Sequence, residues 1–195
     1  MASMTATAHL DADQLAAGLD HIRAAPADAG ELAMIVRRPS VDAREVLAEA
    51  TLDPAVGLVG DSWLERGSNR TPDGSAHPPR QLTLMNVRCA LLVASGPDRA
   101  PLAGDQLYVD LDLSTDNLPA GARLDIGDAV LEVTEPPHLG CAKFVERFGA
   151  DAMAFVNSPI GRRLRLRGMY ARVIRGGVVR VGDSVVPVGD SVVAR

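Results

Sequence analysis

Apolar positions recur along this chain with two different periods, and the change of period divides it. Leu15, Leu19 and Ile22 fall at i, i+4 and i+7 behind Asp11 and Asp13, which predicts a helix over residues 11–25 with an acidic cap. Glu31–Arg38 (ELAMIVRR) reads as a strand stopped by Pro39, while Arg44–Leu52 fits helix or strand. Gln81–Met85 alternates as a strand, and Asn86 is placed to cap a short helix, Val87–Ala94, that would bury Cys89. From residue 102 onward the period is mostly two. Leu107, Val109, Leu111 and Leu113 alternate with Tyr108, Asp110 and Asp112, and short strands are expected at Arg123–Ile126 and Ala129–Thr134. A helical stretch from Cys141 to about Leu164 follows. Strands then return at Tyr170–Arg175 and Val178–Val181, with Gly176-Gly177 predicting a hairpin between them.

Gly-Asp recurs at 104–105, 127–128 and 182–183, each time beside an apolar strand. Many short strands with regular turns predict a mainly β, α+β protein: a barrel with a few peripheral helices. Three parts are expected: a helical arm over residues 1–30, a barrel domain over 31–186, and a tail over 187–195. The phrase VGDSVV at 181–186 returns at 188–193, and the second copy is read as a terminal extension in the manner of an edge strand. Glu65–Pro79 is polar and rich in Ser, Asn, Gly, Pro and Arg. A loop of that length is usually functional or mobile.

Composition narrows the function. Only six residues are aromatic, so the core must be built from Val, Leu, Ala and Ile. A net charge of −5 argues against nucleic acid or an anionic membrane as partner. No apolar run approaches the roughly 20 residues of a spanning helix, and the first residues lack the basic and apolar regions of a signal peptide. The expected compartment is therefore the cytoplasm. There the two cysteines are no disulfide framework. Cys89 sits in an apolar helical context and reads as core, whereas Cys141 lies where a loop enters a helix. Lys143, two residues on, is the only lysine in the chain.

Three segments carry a resemblance. The first is Asp116-Asn117-Leu118 with Gly121, Ile126-Gly127-Asp128 and Leu131-Glu132-Val133-Thr134. The second is Pro136-Pro137-His138-Leu139-Gly140-Cys141 leading into Lys143-Phe144. The third is Arg167-Gly168-Met169-Tyr170-Ala171-Arg172-Val173 with Gly176-Gly177 and Val181-Gly182-Asp183. In this order they resemble the MOSC family, named after the C-terminal domain of molybdenum-cofactor sulfurase. The match covers about residues 55 to 186.

The resemblance implies a β-barrel and a cysteine, here Cys141, that either ligates molybdenum held by a pyranopterin or carries sulfur. Relatives of the amidoxime-reducing type reduce N-hydroxylated compounds with electrons from a separate protein. The alternative is a non-redox carrier that accepts a persulfide from a sulfur-donor protein. The chain departs from the family in two respects. The arginine common after the loop proline gives way to Pro137-His138. There is also no room for the sulfurase's aminotransferase-like domain, so an acceptor of sulfur or a cofactor-dependent reductase is expected.

The residue chemistry suits both readings. A thiolate is a soft ligand and a nucleophile, and the positive end of a helix would favour the charged form of Cys141. His138 is a candidate proton donor or a loop histidine bonded to backbone. Arg163, Arg165 and Arg167 would share one face if extended, forming an anion site for the pterin phosphate or merely a charged edge strand. Arg80, Asn117, Lys143 and Tyr170 complete the expected cofactor lining, although Asn117 could equally support a turn. Pyridoxal phosphate would require a Schiff base on Lys143, and a cofactor-free domain is also open.

Overall fold

The first helix is too short to stand alone and forms because one face is buried. A computed structural model describes residues 9–188 of the chain. Its N-terminal part is two short helices, α1 (Ala12–Ala17) and α2 (Leu19–Arg23), in place of the single predicted helix. Asp11 and Gln14 cap α1 reciprocally. The break falls at Gly18, where any side chain would collide with Leu92. Leu15 and Ile22 are buried all the same.

Strands β1 (Gly30–Arg37), β2 (Glu45–Leu47), β3 (Glu49–Asp53) and β4 (Gly57–Leu58) follow, so the ambiguous 44–52 segment is strand. A short helix α3 (Trp63–Arg66) opens the long polar loop. Then come β5 (Leu82–Asn86), α4 (Val87–Ala94), β6 (Leu107–Asp110), β7 (Arg123–Ile126) and β8 (Ala129–Val133). Two helices, α5 (Ala142–Asn157) and α6 (Pro159–Arg163), precede β9 (Met169–Arg175), β10 (Gly177–Arg180) and β11 (Ser184–Val188).

Seven strands close into a barrel in the order β11-β7-β8-β9-β5-β6-β1, with β1 returning to β11 through Gly30 opposite Val185. Strand β2 extends the sheet beyond β1, and β10, β3 and β4 form a separate three-stranded sheet. The Gly176-Gly177 hairpin does not form: β9 pairs with β8 and β5, whereas β10 pairs with β3. Neither glycine has the positive φ a two-residue hairpin turn demands. They serve close approach instead, since a side chain on Gly177 would strike Asp128. The first VGDSVV copy supplies most of β11, which closes the barrel; the second lies almost wholly outside the described residues, as does most of the tail.

Burial on two faces explains why the central strands are apolar throughout. Leu82, Leu84, Leu107 and Val109 point into the barrel. Their neighbours Met85 and Tyr108, with Val36, join a second core beneath α1, α4 and α5 that includes Leu15, Phe144 and Phe148. Asn86 links the two layers. Its side chain accepts from the N–H groups of Arg88 and Cys89 at the start of α4 and donates to Leu111 O at 2.9 Å. Among the described residues, no helix is long and apolar enough to cross a membrane.

Candidate functional site

The cysteine loop is held by backbone contacts to α5. Gly140 N–H donates to Asn157 Oδ1 at 3.2 Å, and a side chain at Gly140 would run into Met153. Cys141 takes the N-cap position of α5 in extended conformation, with its side chain exposed and making no capping bond. The helix is broken at Gly149 (φ 89°), and its apolar face, Phe144, Phe148, Ala152 and Val156, is buried. Lys143 and Arg147 therefore fall on the face turned to a cleft of about 540 Å³ that Cys141 also lines.

That cleft is cationic. Among the described residues, seven arginines and Lys143 line it, and three carboxylates, Asp42, Asp61 and Asp105, pair with four of these cations. This concentration stands against a chain whose net charge is −5. Arg38 anchors the centre: its Nε and Nη2 donate to the two oxygens of Asp61 at 2.9 Å each, and Nη1 donates to Gly104 O at 2.9 Å. Arg167 donates to Asp105 Oδ2 at 2.7 Å and Ala103 O at 3.0 Å. Arg80 lies over the Tyr170 ring, 5.0 Å from its centroid. Desolvation, then repulsion from Arg38, pulls the Arg66 guanidinium below the ordinary value. On the other side, Lys143 and Arg147 share Asp42 Oδ1 at 2.7 and 2.8 Å. Arg44 stands beside them and is likewise lowered, by burial first and then by Arg147 and Arg38.

The donor inventory leaves specific groups unspent. The Nε atoms of Arg44, Arg80 and Arg167 are buried without a hydrogen-bond partner. Buried donors of this kind call for an acceptor, and the chemistry here suits an anionic, phosphate-bearing ligand. No three His, Cys, Asp or Glu side chains converge as a metal cage among the described residues. A soft metal beside Cys141 would therefore rely on donors that arrive with it.

His138 forms the inner wall, with its ring centroid 4.5 Å from that of Tyr170. Burial, reinforced by Arg167, Arg38 and Arg80, holds its imidazole well below the usual histidine value. It is neutral near pH 7, so any proton it delivers is relayed and not stored. Asp105 is wholly buried next to it, and burial pushes this carboxyl up while Arg167 opposes the shift.

Of the residues singled out in the sequence, Arg80, His138, Cys141, Lys143, Arg167 and Tyr170 meet at this cleft. Arg163 and Asn117 do not. The 163–167 run is not extended: α6 ends at Arg163 and Arg165 turns left-handed (φ 49°), sending the three arginines in different directions. Arg163 pairs with Asp116 at the surface, and Arg165 donates to Leu113 O and Leu118 O. Asn117 donates to Ala27 O at 3.1 Å and Asp112 O at 2.8 Å, which is turn support. His77 and residues of the loop after α3 also line the cleft. Arg38, Arg44, Arg66, Arg70, Arg147, Asp61 and Asp105 were not apparent in the sequence. The one available signal was the recurrent Gly-Asp at 104–105, which reads as turn chemistry.

The sequence profile of the MOSC domain matches residues 81–186. No curated protein matches the chain. Among solved structures, the YuaD protein from Bacillus subtilis superposes with a TM-score of 0.59 at 19% identity, over 80% of this chain and 94% of that one. YiiM from Escherichia coli gives 0.53 at 22% identity, over 82% and 70% of the two chains. YiiM from Geobacillus stearothermophilus gives 0.56 at 15% identity, over 85% and 78%. At these identities the likeness is one of fold.

Proposed function

The chain belongs to the MOSC domain family, and from that premise we propose that its cleft holds a molybdenum–pyranopterin cofactor and that the protein reduces N-hydroxylated compounds. The observation that carries this reading is the exposed Cys141 thiol on the wall of a cleft lined by seven arginines and Lys143. A pyranopterin bears a phosphate, which guanidinium groups bind in bidentate fashion. Arg80 and Arg167, with unpartnered Nε atoms, are the residues to receive it. Cys141 is the side chain placed to ligate the metal. When bound, the cofactor would supply the electron-transfer chemistry that no side chain here possesses.

The chain itself contributes charge, position and protons. Reducing R–NHOH to R–NH2 breaks the N–O bond, consumes two electrons and two protons, and releases the oxygen as water. The electrons come from a separate donor protein. The neutral His138 can take a proton on one ring nitrogen and give one from the other. The arginines around it disfavour the imidazolium, so a proton taken up there is passed on.

Molybdenum and pterin content per mole of protein tests the reading, in wild type and Cys141→Ala made in a host that synthesises the cofactor. Near-stoichiometric metal in wild type, with loss or altered ligation in the variant, is expected. Neither metal nor pterin in either protein sinks it. The exposure of Cys141 also suits a second reading, a carrier that holds a persulfide for delivery to a partner. Cyanide-releasable sulfur without molybdenum would identify that case. Pyridoxal phosphate would need a Schiff base on Lys143, whose amine contacts Asp42 in this structure, and no further observation favours it.

A further inference from the structure

The cations of the cleft fall into two groups on either side of Arg38. The inner group, Arg66, Arg80 and Arg167, lies around His138 and Tyr170. The outer group is Lys143, Arg147 and Arg44, beside the exposed Cys141. A single phosphate on the inner group leaves the outer group unexplained.

The outer group already holds an anion of the protein's own. One carboxylate oxygen of Asp42 bridges Lys143 Nζ and Arg147 Nη2, and Asp42 has a left-handed conformation (φ 63°). Three cations therefore face one carboxylate, and the Arg44 Nε is buried with no acceptor. The Asp42 side chain is 58% exposed and that of Lys143 51%, so this ion pair is solvated and weakly held.

We infer that Lys143, Arg147 and Arg44 form a second anion subsite at the rim of the cleft, occupied in the free protein by Asp42, and that the substrate carries a phosphate ester that displaces it. A phosphate has up to two negative charges and three strong acceptor oxygens. Asp42 offers the same donors one oxygen and one charge, so a phosphate can satisfy Arg44 as well. The subsite stands on the rim geometry alone. Its assignment to substrate rests on the inner arginines holding the cofactor, as proposed above.

Phenyl phosphate and benzoate, titrated calorimetrically into the full chain as isolated from cofactor-producing cells and from cells lacking the cofactor, test the inference. Phenyl phosphate should bind more tightly than benzoate in both preparations. Asp42→Asn should tighten phenyl phosphate binding about tenfold, and Lys143→Gln should weaken it about tenfold, each the effect of roughly one charge-assisted contact. Among the described residues Lys143 bonds only to Asp42, so thermal unfolding of Lys143→Gln should match wild type and separate lost binding from lost fold. Unchanged affinity in either variant overturns the subsite, as does benzoate binding as tightly as phenyl phosphate. If the variant effects hold but the protein contains no molybdenum, the subsite stands and the cofactor reading falls. Metal with inert variants means the reverse.

Discussion

His138 Nδ1 lies 3.5 Å from Asp105 Oδ1, and both atoms are buried without a hydrogen bond. The other carboxylate oxygen is taken by Arg167. Asp105 thus stands between the arginine proposed to hold a phosphate and the histidine proposed to pass protons. A small rotation of either ring or carboxylate would close the gap and fix which imidazole nitrogen carries the hydrogen. A ligand accepting from the free Arg167 Nε would draw on the same guanidinium, so the proposed binding and proton transfer would share one buried triad.

The neutrality of His138 has a measurable consequence. An imidazole in the unfolded chain takes up a proton near pH 6.5, whereas the folded protein resists it. The unfolded state therefore binds the proton first as pH falls. Stability is lost on going from about pH 7 to pH 5, with a slope from this one group of at most about 1.4 kcal/mol per pH unit. His138→Asn removes the group from both states. The unfolding free energy of wild type minus that of the variant, from urea titrations, should decline below pH 7 and be level above it. A difference that is flat across the whole range would mean that His138 titrates normally.

Gly168 sets the distance between the barrel wall and that histidine. Its φ is 101°, and an added side chain would collide with the Leu84 carbonyl and come within 3.3 Å of His138 Nδ1. Gly168→Ala should cost about 1–3 kcal/mol of stability from backbone strain alone. It should also weaken ligand binding in the cleft, because β5 and His138 must both move. Equilibrium denaturation together with phenyl phosphate titration checks both effects. An alanine variant as stable as wild type would show that the backbone can relax there.

Much of the fold was legible because its signals are local. The Asn86 cap places α4 at Val87–Ala94, and alternation alone locates β7 at Arg123–Ile126. The cysteine loop was legible too, through an ordered set of short motifs. What was hidden depends on distant partners. Arg38 finds Asp61 across 23 residues and Arg167 finds Asp105 across 62, so a charged residue at a strand end gave no hint of a buried pair. The arginine run at 163–167 misled for a related reason. Its period suits a strand, but the Ser158 cap and Pro159 start a helix just before it.

The two cysteines should separate cleanly by reactivity. Cys89 is fully buried and its thiol is pushed up to about 12 by desolvation, so it is inert in the native state. Cys141 is exposed. Iodoacetamide should label one thiol per chain in native protein, abolished by Cys141→Ala, and two in denaturant, as mass spectrometry would count. Native labelling at Cys89 on the same time scale would mean that α4 opens readily.

The Arg38–Asp61 pair supports the centre of the cleft, and its removal should be costly in one direction only. Asp61 accepts from Arg38 Nε, Nη2 and backbone N–H and from the Trp63 N–H. Asp61→Ala strands a buried guanidinium and two backbone donors, so a loss of about 3–5 kcal/mol is expected. Replacing both partners by apolar residues, Arg38→Met with Asp61→Leu, leaves no uncompensated charge. The double variant should recover part of that loss, though not all, because the N–H groups of residues 38 and 63 stay unpaired. Chemical denaturation of the single and double variants measures the coupling. If Asp61→Ala costs less than 1 kcal/mol, water reaches Arg38 and the centre of the cleft is wetter than its geometry implies.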